Sequence, residues 1–175
     1  PERRHLSEIR RGGASGHAAR MASGDASWAP DFGPPEPHPT AGVVAVGARE
    51  FLVAYNVELE TEDLEVARRI AARVRESEGG LPGVKALGLA TPTRGCVQVS
   101  MNLYDLTRTG IAAAFARVAE LAVAEGVSVR GGELVGLVPR AAVAEAFGAA
   151  FARRGFGPDR VIEDRLERLV DPLEA

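Results

Sequence analysis

The sequence predicts an α+β fold, a ferredoxin-like βαββαβ sheet with its helices on one face and extra helices at the C-terminus. Three observations predict it. Between residues 51 and 138 the apolar spacing alternates between a period of two and a period of 3.6, in the order β-α-β-β-α-β. The two middle strands are separated only by Thr91-Pro92-Thr93-Arg94-Gly95, a link short enough for a hairpin. Two right-handed crossovers joined by that hairpin interleave the strands, so the first and third lie side by side at the centre and one face carries no helix.

The elements follow in order. Residues 1–27 mix Arg, Gly, Ala and Ser, with a weak helical pattern (Leu6, Ile9, Ala18, Met21) broken by Gly12-Gly13 and Gly16, and predict a short helix at best. Residues 28–41 hold Pro30, Pro34, Pro35, Pro37 and Pro39, whose fixed φ and missing N–H exclude helix and central strand, so they form an extended connector. Phe51, Val53, Tyr55, Val57 and Leu59 alternate along the first strand. Thr61 or Asp63 starts a helix over 63–76, whose apolar side is Leu64, Ala67, Ile70, Ala71 and Val74, and Gly79, Gly80 and Pro82 end it. Strands follow at 84–91 and 96–104, a helix at 109–125 stopped by Gly126, and a fourth strand within 127–138. A helix over Arg140–Arg153 with Gly155 as its stop, and a charged helix over 159–170 on the surface, complete the chain.

Composition bounds the function. The 175 residues, 46% of them hydrophobic, suffice for one ordinary core. A formal charge of 21 − 24 = −3 with interspersed signs leaves no basic footprint for nucleic acid or anionic membrane. Cys96 stands alone, which excludes an internal disulfide and reads as a buried apolar side chain; no Cys or His spacing suggests a metal site. No apolar run approaches the roughly 20 residues that span a bilayer. A cytoplasmic location is therefore expected.

Chemistry is sought on the helix-free face. On the third strand Val97, Val99, Met101 and Leu103 form the apolar side, so Gln98, Ser100 and Asn102 point the other way, beside Asn56 at the middle of the first strand. Two readings stand: a solvated face, common in antiparallel sheets, or a ligand surface. The absence of charge, and the small residues Ala54, Ala86, Gly88 and Ala90 expected around it, fit a flat ligand that approaches the backbone. Arg49, ahead of the first strand, is either a solvent-exposed arginine or a bidentate clamp for a carboxylate. Lys85, the single lysine, reads as a strand-edge residue. Gly79-Gly80-Leu81-Pro82-Gly83 sits at a helix end, not a helix start, and reads as a turn, not a phosphate cradle. His5, His17 and His38 lack a partner at convincing spacing, with His38 kept as a lesser candidate.

Residues 45–59 (Ala-Val-Gly-Ala-Arg-Glu-Phe-Leu-Val-Ala-Tyr-Asn-Val-Glu-Leu), Trp-Ala-Pro-Asp-Phe-Gly-Pro (28–34), Gly-Gly-Leu-Pro-Gly-Val-Lys-Ala-Leu-Gly-Leu (79–89) and Gln-Val-Ser-Met-Asn-Leu-Tyr-Asp (98–105) closely resemble, in this order, the formiminotransferase family. The likeness runs from about Leu6 to about Ala142. It implies residues 1–44 as the tail of a missing N-terminal subdomain plus a proline-rich linker, 45–153 as the C-terminal subdomain, and 154–175 as a helical appendage. In that family folate lies between the sheets of two similar subdomains, and the segment matching Trp28, Ala29, Pro30 and Asp31 contributes to folate binding.

The resemblance implies transfer of a formimino group from N-formimidoyl-L-glutamate to tetrahydrofolate, a one-carbon step of histidine degradation. Tetrahydrofolate is then a co-substrate, and no metal is implied. The family's catalytic histidine belongs to the first subdomain, so no catalytic residue is carried over, and the chain alone is expected to bind weakly and catalyse little. Expected partners are folate, N-formimidoylglutamate, a chain that supplies the first subdomain, and a second copy in a homodimer. An altered group donor is a variant of this reading. The alternative from a different class is a catalytically silent ferredoxin-like module for small-ligand binding or oligomerisation. Trp28, alone of its kind, could also simply anchor the connector.

Overall fold

The computed structural model of the protein describes residues 3, 6–144, 152–154 and 156–170. The chain divides into two compact units, Pro1–Arg49 and Glu50–Ala175.

In the first unit, helices α1 (Leu6–Ile9) and α2 (Gly13–Ala22) are joined by Gly12 and Gly13, both left-handed at φ 80° and 64°, a conformation glycine adopts without strain. The expected break at Gly16 does not occur, and α2 runs through it. A Cβ there would lie 3.0 Å from the Arg11 carbonyl oxygen, so the glycine lets the turn close tightly instead of ending the helix. Arg20 Nη2 donates to the carbonyls of Ile9 (2.8 Å) and Arg11 (2.7 Å), which caps the otherwise open end of α1. A 3₁₀ turn, Ala26–Trp28, follows, and the Asp25 carboxylate accepts from Ser27 N at its start. The proline segment beyond it is irregular except for the His38–Gly42 bridge.

In the second unit the strands are β1 (Val53–Leu59), β2 (Val84–Thr91), β3 (Cys96–Leu103), β4 (Val129–Val135) and β5 (Ala152–Arg154), with α3 (Leu64–Val74) after β1 and α4 (Ile111–Ala124) after β3. Spatial order is β2-β3-β1-β4-β5. The first four pair antiparallel, the ferredoxin-like arrangement, with β1 and β3 at the centre. Phe51 stands outside β1 and is exposed.

The core lies between this sheet and its two helices. Val53, Tyr55, Val57 and Leu59 of β1 and Val97, Val99, Met101 and Leu103 of β3 meet Ala67, Ile70 and Val74 of α3 and Ile111, Ala114, Val118 and Leu121 of α4. Asp63 caps α3 by accepting from Glu65 N at 2.9 Å. The small residues Ala86, Gly88 and Ala90 pair with Met101, Val99 and Val97, so they belong to the helix side and not, as expected, to the open face. At Gly88 the reason is close packing: a Cβ there would lie 2.4 Å from Arg68 N and 2.5 Å from Ala67 C in the α3 backbone, while Ala86 is buried and Ala90 exposed. Beyond β3, the Tyr104 hydroxyl donates to the Glu76 carboxylate in the turn after α3. Burial, and then this bond, push the phenol up to about 12, and the same bond holds Glu76 below its ordinary value.

The C-terminal part differs from expectation. Helix α5 is described over Arg140–Ala144, and residues 152–154 form β5, parallel to β4, where a helix to Arg153 was predicted. The alanine-rich sequence favours helix, but the open edge of β4 offers ladder hydrogen bonds, and this tertiary pairing overrides propensity. Residues 145–151 and Gly155 lie outside the described residues. Helix α6 (Ile162–Val170) is charged as expected, and the chain before it is anchored: Val161 is buried and bridges Val138, while Phe156 meets Tyr55 edge-on at 6.3 Å. No described helix is long and apolar enough to cross a membrane.

Candidate functional site on the open face of the sheet

Strand register assembles the site. Asn56 stands opposite Ser100 on one side and Glu133 on the other; Glu58 stands opposite Gln98, and Ala54 opposite Asn102. Directly opposed residues share a face, so Asn56, Gln98, Ser100 and Asn102 are brought together on the side away from α3 and α4. Burial grades along the row. Asn56 and Gln98 are each 8% exposed, Ser100 is half-buried and Asn102 open. Lys85, Leu87 and Leu89 of β2 flank the row on one side and Val135 of β4 on the other, with both leucines and the valine exposed. Lys85 itself leans over the Tyr104 ring, its Nζ 5.4 Å from the centroid.

The face is not uncharged, which corrects the sequence reading. Glu58, only 2% exposed, accepts from Arg94 Nη1 at 2.6 Å, and Arg94 Nη2 reaches Glu133 Oε1 at 3.1 Å. Glu133 Oε2 in turn accepts from Asn56 Nδ2 at 3.2 Å. The two carboxylates, Glu133 foremost, raise the Arg94 pKa and lock its guanidinium in the charged form. Arg94 comes from the 3₁₀ turn of the β2–β3 hairpin, and Arg130 holds its carbonyl at 2.8 Å. Strand alternation alone could have revealed Glu58, two residues after Asn56 and so on the same face. Arg94 carries no such signal, because a hairpin turn's side-chain direction is not periodic. Cys96 is buried as expected, its Sγ 3.0 Å from Thr91 Oγ1.

The remaining predicted residues lie in the first unit. Trp28, Pro30 and Asp31 line a cleft of about 510 Å³ together with Arg3, Ile9, His17, Met21 and Phe32. The Trp28 ring is held between the Arg20 guanidinium, 4.3 Å from its centroid, and the edge-on His17 ring at 6.0 Å. Ala29 contributes its carbonyl, which accepts from Arg3 Nη1 at 2.9 Å, and Asp31 pairs with Arg3 Nη2 at 2.7 Å. Trp28 therefore does anchor the connector, and His17, discounted from sequence, belongs to this cleft. His38 Nδ1 accepts from the backbone N–H of Thr40 and of Ala41, a turn-stabilising role. Arg49 is exposed in the extended segment that ends this unit.

Comparison with known proteins decides the family. Residues 54–157 match the family model described as Formiminotransferase domain, and residues 1–49 match the one described as Formiminotransferase domain, N-terminal subdomain. The chain belongs to the formiminotransferase family. A glutamate formimidoyltransferase of Streptococcus pyogenes is 41% identical over 143 residues, 82% of this chain and 47% of that protein. One of Thermoplasma acidophilum is 35% identical over 171 residues, 98% of this chain and 56% of its own length. A formimidoyltransferase-cyclodeaminase of Gallus gallus is 40% identical over 125 residues, 68% of this chain and 23% of its own length. This formiminotransferase-family chain thus spans about half the length of the curated transferases it matches.

Proposed function

We propose that the chain is the folate-binding portion of a glutamate formimidoyltransferase, which transfers a formimino group from N-formimidoyl-L-glutamate to tetrahydrofolate. The observation that carries the reading is the polar row of Asn56, Gln98, Ser100 and Asn102 on a helix-free sheet face with apolar shoulders. A pteridine laid on that face covers Leu87 and Leu89 and meets hydrogen-bonding groups along its edge. Trp28, Ala29, Pro30 and Asp31 contribute a second folate contact, and Arg49 clamps a carboxylate of folate or of the glutamate product.

The reaction sets the demands. The N5 lone pair of tetrahydrofolate attacks the amidine carbon; the resulting tetrahedral centre collapses with cleavage of the bond to the glutamate nitrogen, which leaves carrying a proton. A proton donor and support for the tetrahedral centre are needed. No histidine of this chain is assigned that role, which the family places in its first subdomain. The chain therefore binds tetrahydrofolate but transfers little by itself.

An isothermal titration with tetrahydrofolate is expected to give saturable one-to-one binding with a dissociation constant of roughly 10–500 µM, a modest affinity for one wall of a site. No heat of binding at millimolar ligand would refute the reading.

A further inference from the structure

Gln98 Oε1 is buried and no described donor reaches it, although the side chain is 92% removed from solvent at the centre of the sheet (8% exposed). Such an orphan is costly, and most buried polar atoms in folded proteins are paired. It stands directly opposite the Glu58 carboxylate, with Ser100 next along its strand and Glu133 one strand beyond Glu58. Ordered structure surrounds it: Glu58 is fixed by Arg94 and Glu133 by Arg94 and Asn56. A carboxamide with no bond to break can turn about its soft terminal torsion toward an arriving donor. Carboxylates around it disfavour an anion and favour a group rich in N–H.

We infer that Gln98 is a specificity-determining acceptor for a planar amidine-type N–C–N edge, whose N–H donor its Oε1 receives at the centre of the open face. This rests on the folate reading above, because both of its substrates carry such an edge: the 2-amino-pyrimidinone ring of the pteridine, and the formimidoyl group of the donor. A site that hydrogen-bonds a substrate N–H discriminates strongly against analogues lacking it, since the buried acceptor is then left unpaired. The orphan in the free protein is the cost of that selectivity.

The test compares the full chain with Gln98→Met, which keeps length and removes the acceptor, by calorimetric titration with tetrahydrofolate and, separately, with N-formimidoyl-L-glutamate, and by thermal melting. The expected result is affinity for one of the two ligands lowered about tenfold or more, with the melting temperature unchanged or raised, because an unpaired buried amide is removed. Val123→Ala is the control. It is exposed on α4, away from the open face, and should leave both affinities unchanged. The arm that responds identifies which edge Gln98 reads. Undiminished binding of both ligands by Gln98→Met overturns the inference and leaves the folate reading intact. Absence of binding by the unaltered chain overturns both. A lowered melting temperature with unchanged affinity assigns Gln98 a packing role instead.

Discussion

Gly88→Val is expected to destabilise the second unit by about 3 kcal/mol, because the added atoms collide with helix backbone and not with a movable side-chain tip. A Cβ at residue 88 would already sit 2.4 Å from Arg68 N and 2.5 Å from Ala67 C. Relief requires α3 to lift from β2, which uncovers Ala67, Ile70 and Val74, all fully buried. Gly131, on the open face with nothing within 4 Å of its virtual Cβ, supplies the contrast: Gly131→Ala should stay within about 0.5 kcal/mol of the unaltered chain. Urea unfolding of both variants measures the difference. Equal midpoints would mean that α3 does not lie against β2 at this distance.

Arg94→Met is expected to lower the melting temperature at neutral pH by roughly 10 °C. The arginine is itself partly exposed, and the loss arises from what it leaves behind. Glu58, at 2% exposure, loses its ion-pair partner 2.6 Å away, and Glu133 loses a second contact. Adding Glu58→Leu to Arg94→Met should recover much of the loss, since replacing both partners by apolar groups removes the uncompensated charge. Melting curves of the two variants at neutral pH check this. No recovery in the double variant would contradict the role given to the triad.

Much of the second unit was legible in the sequence because its signals are local and periodic. Alternation in β1 and β3 gave both the buried set and the polar row, and Gly95 and Gly126 marked a hairpin and a helix end, both in left-handed geometry at φ 58° and 73°. What failed was non-local. Ala86, Gly88 and Ala90 look like a clearing for a ligand until register assigns them to the helix side, where α3 needs the room at Gly88. The parallel pairing of β5 with β4 depends on an edge that exists only once the sheet has formed. Arg94 joins Glu58 to Glu133, residues 75 positions apart along the chain that only strand pairing brings together. Gly16 illustrates the opposite error, a helix breaker by propensity that lies inside α2 because the Arg11 carbonyl leaves no room for a side chain there.

In the proposed reading, folate binds against the helix-free face of this sheet. Intermolecular nuclear Overhauser effects between tetrahydrofolate and the isotope-labelled chain test this most directly. Contacts from the pteridine protons to Leu87, Asn56, Ser100 and Asn102 are expected, with none to α3 or α4. Contacts confined to the helices, or to the Trp28 cleft without any on β1 and β3, would contradict it.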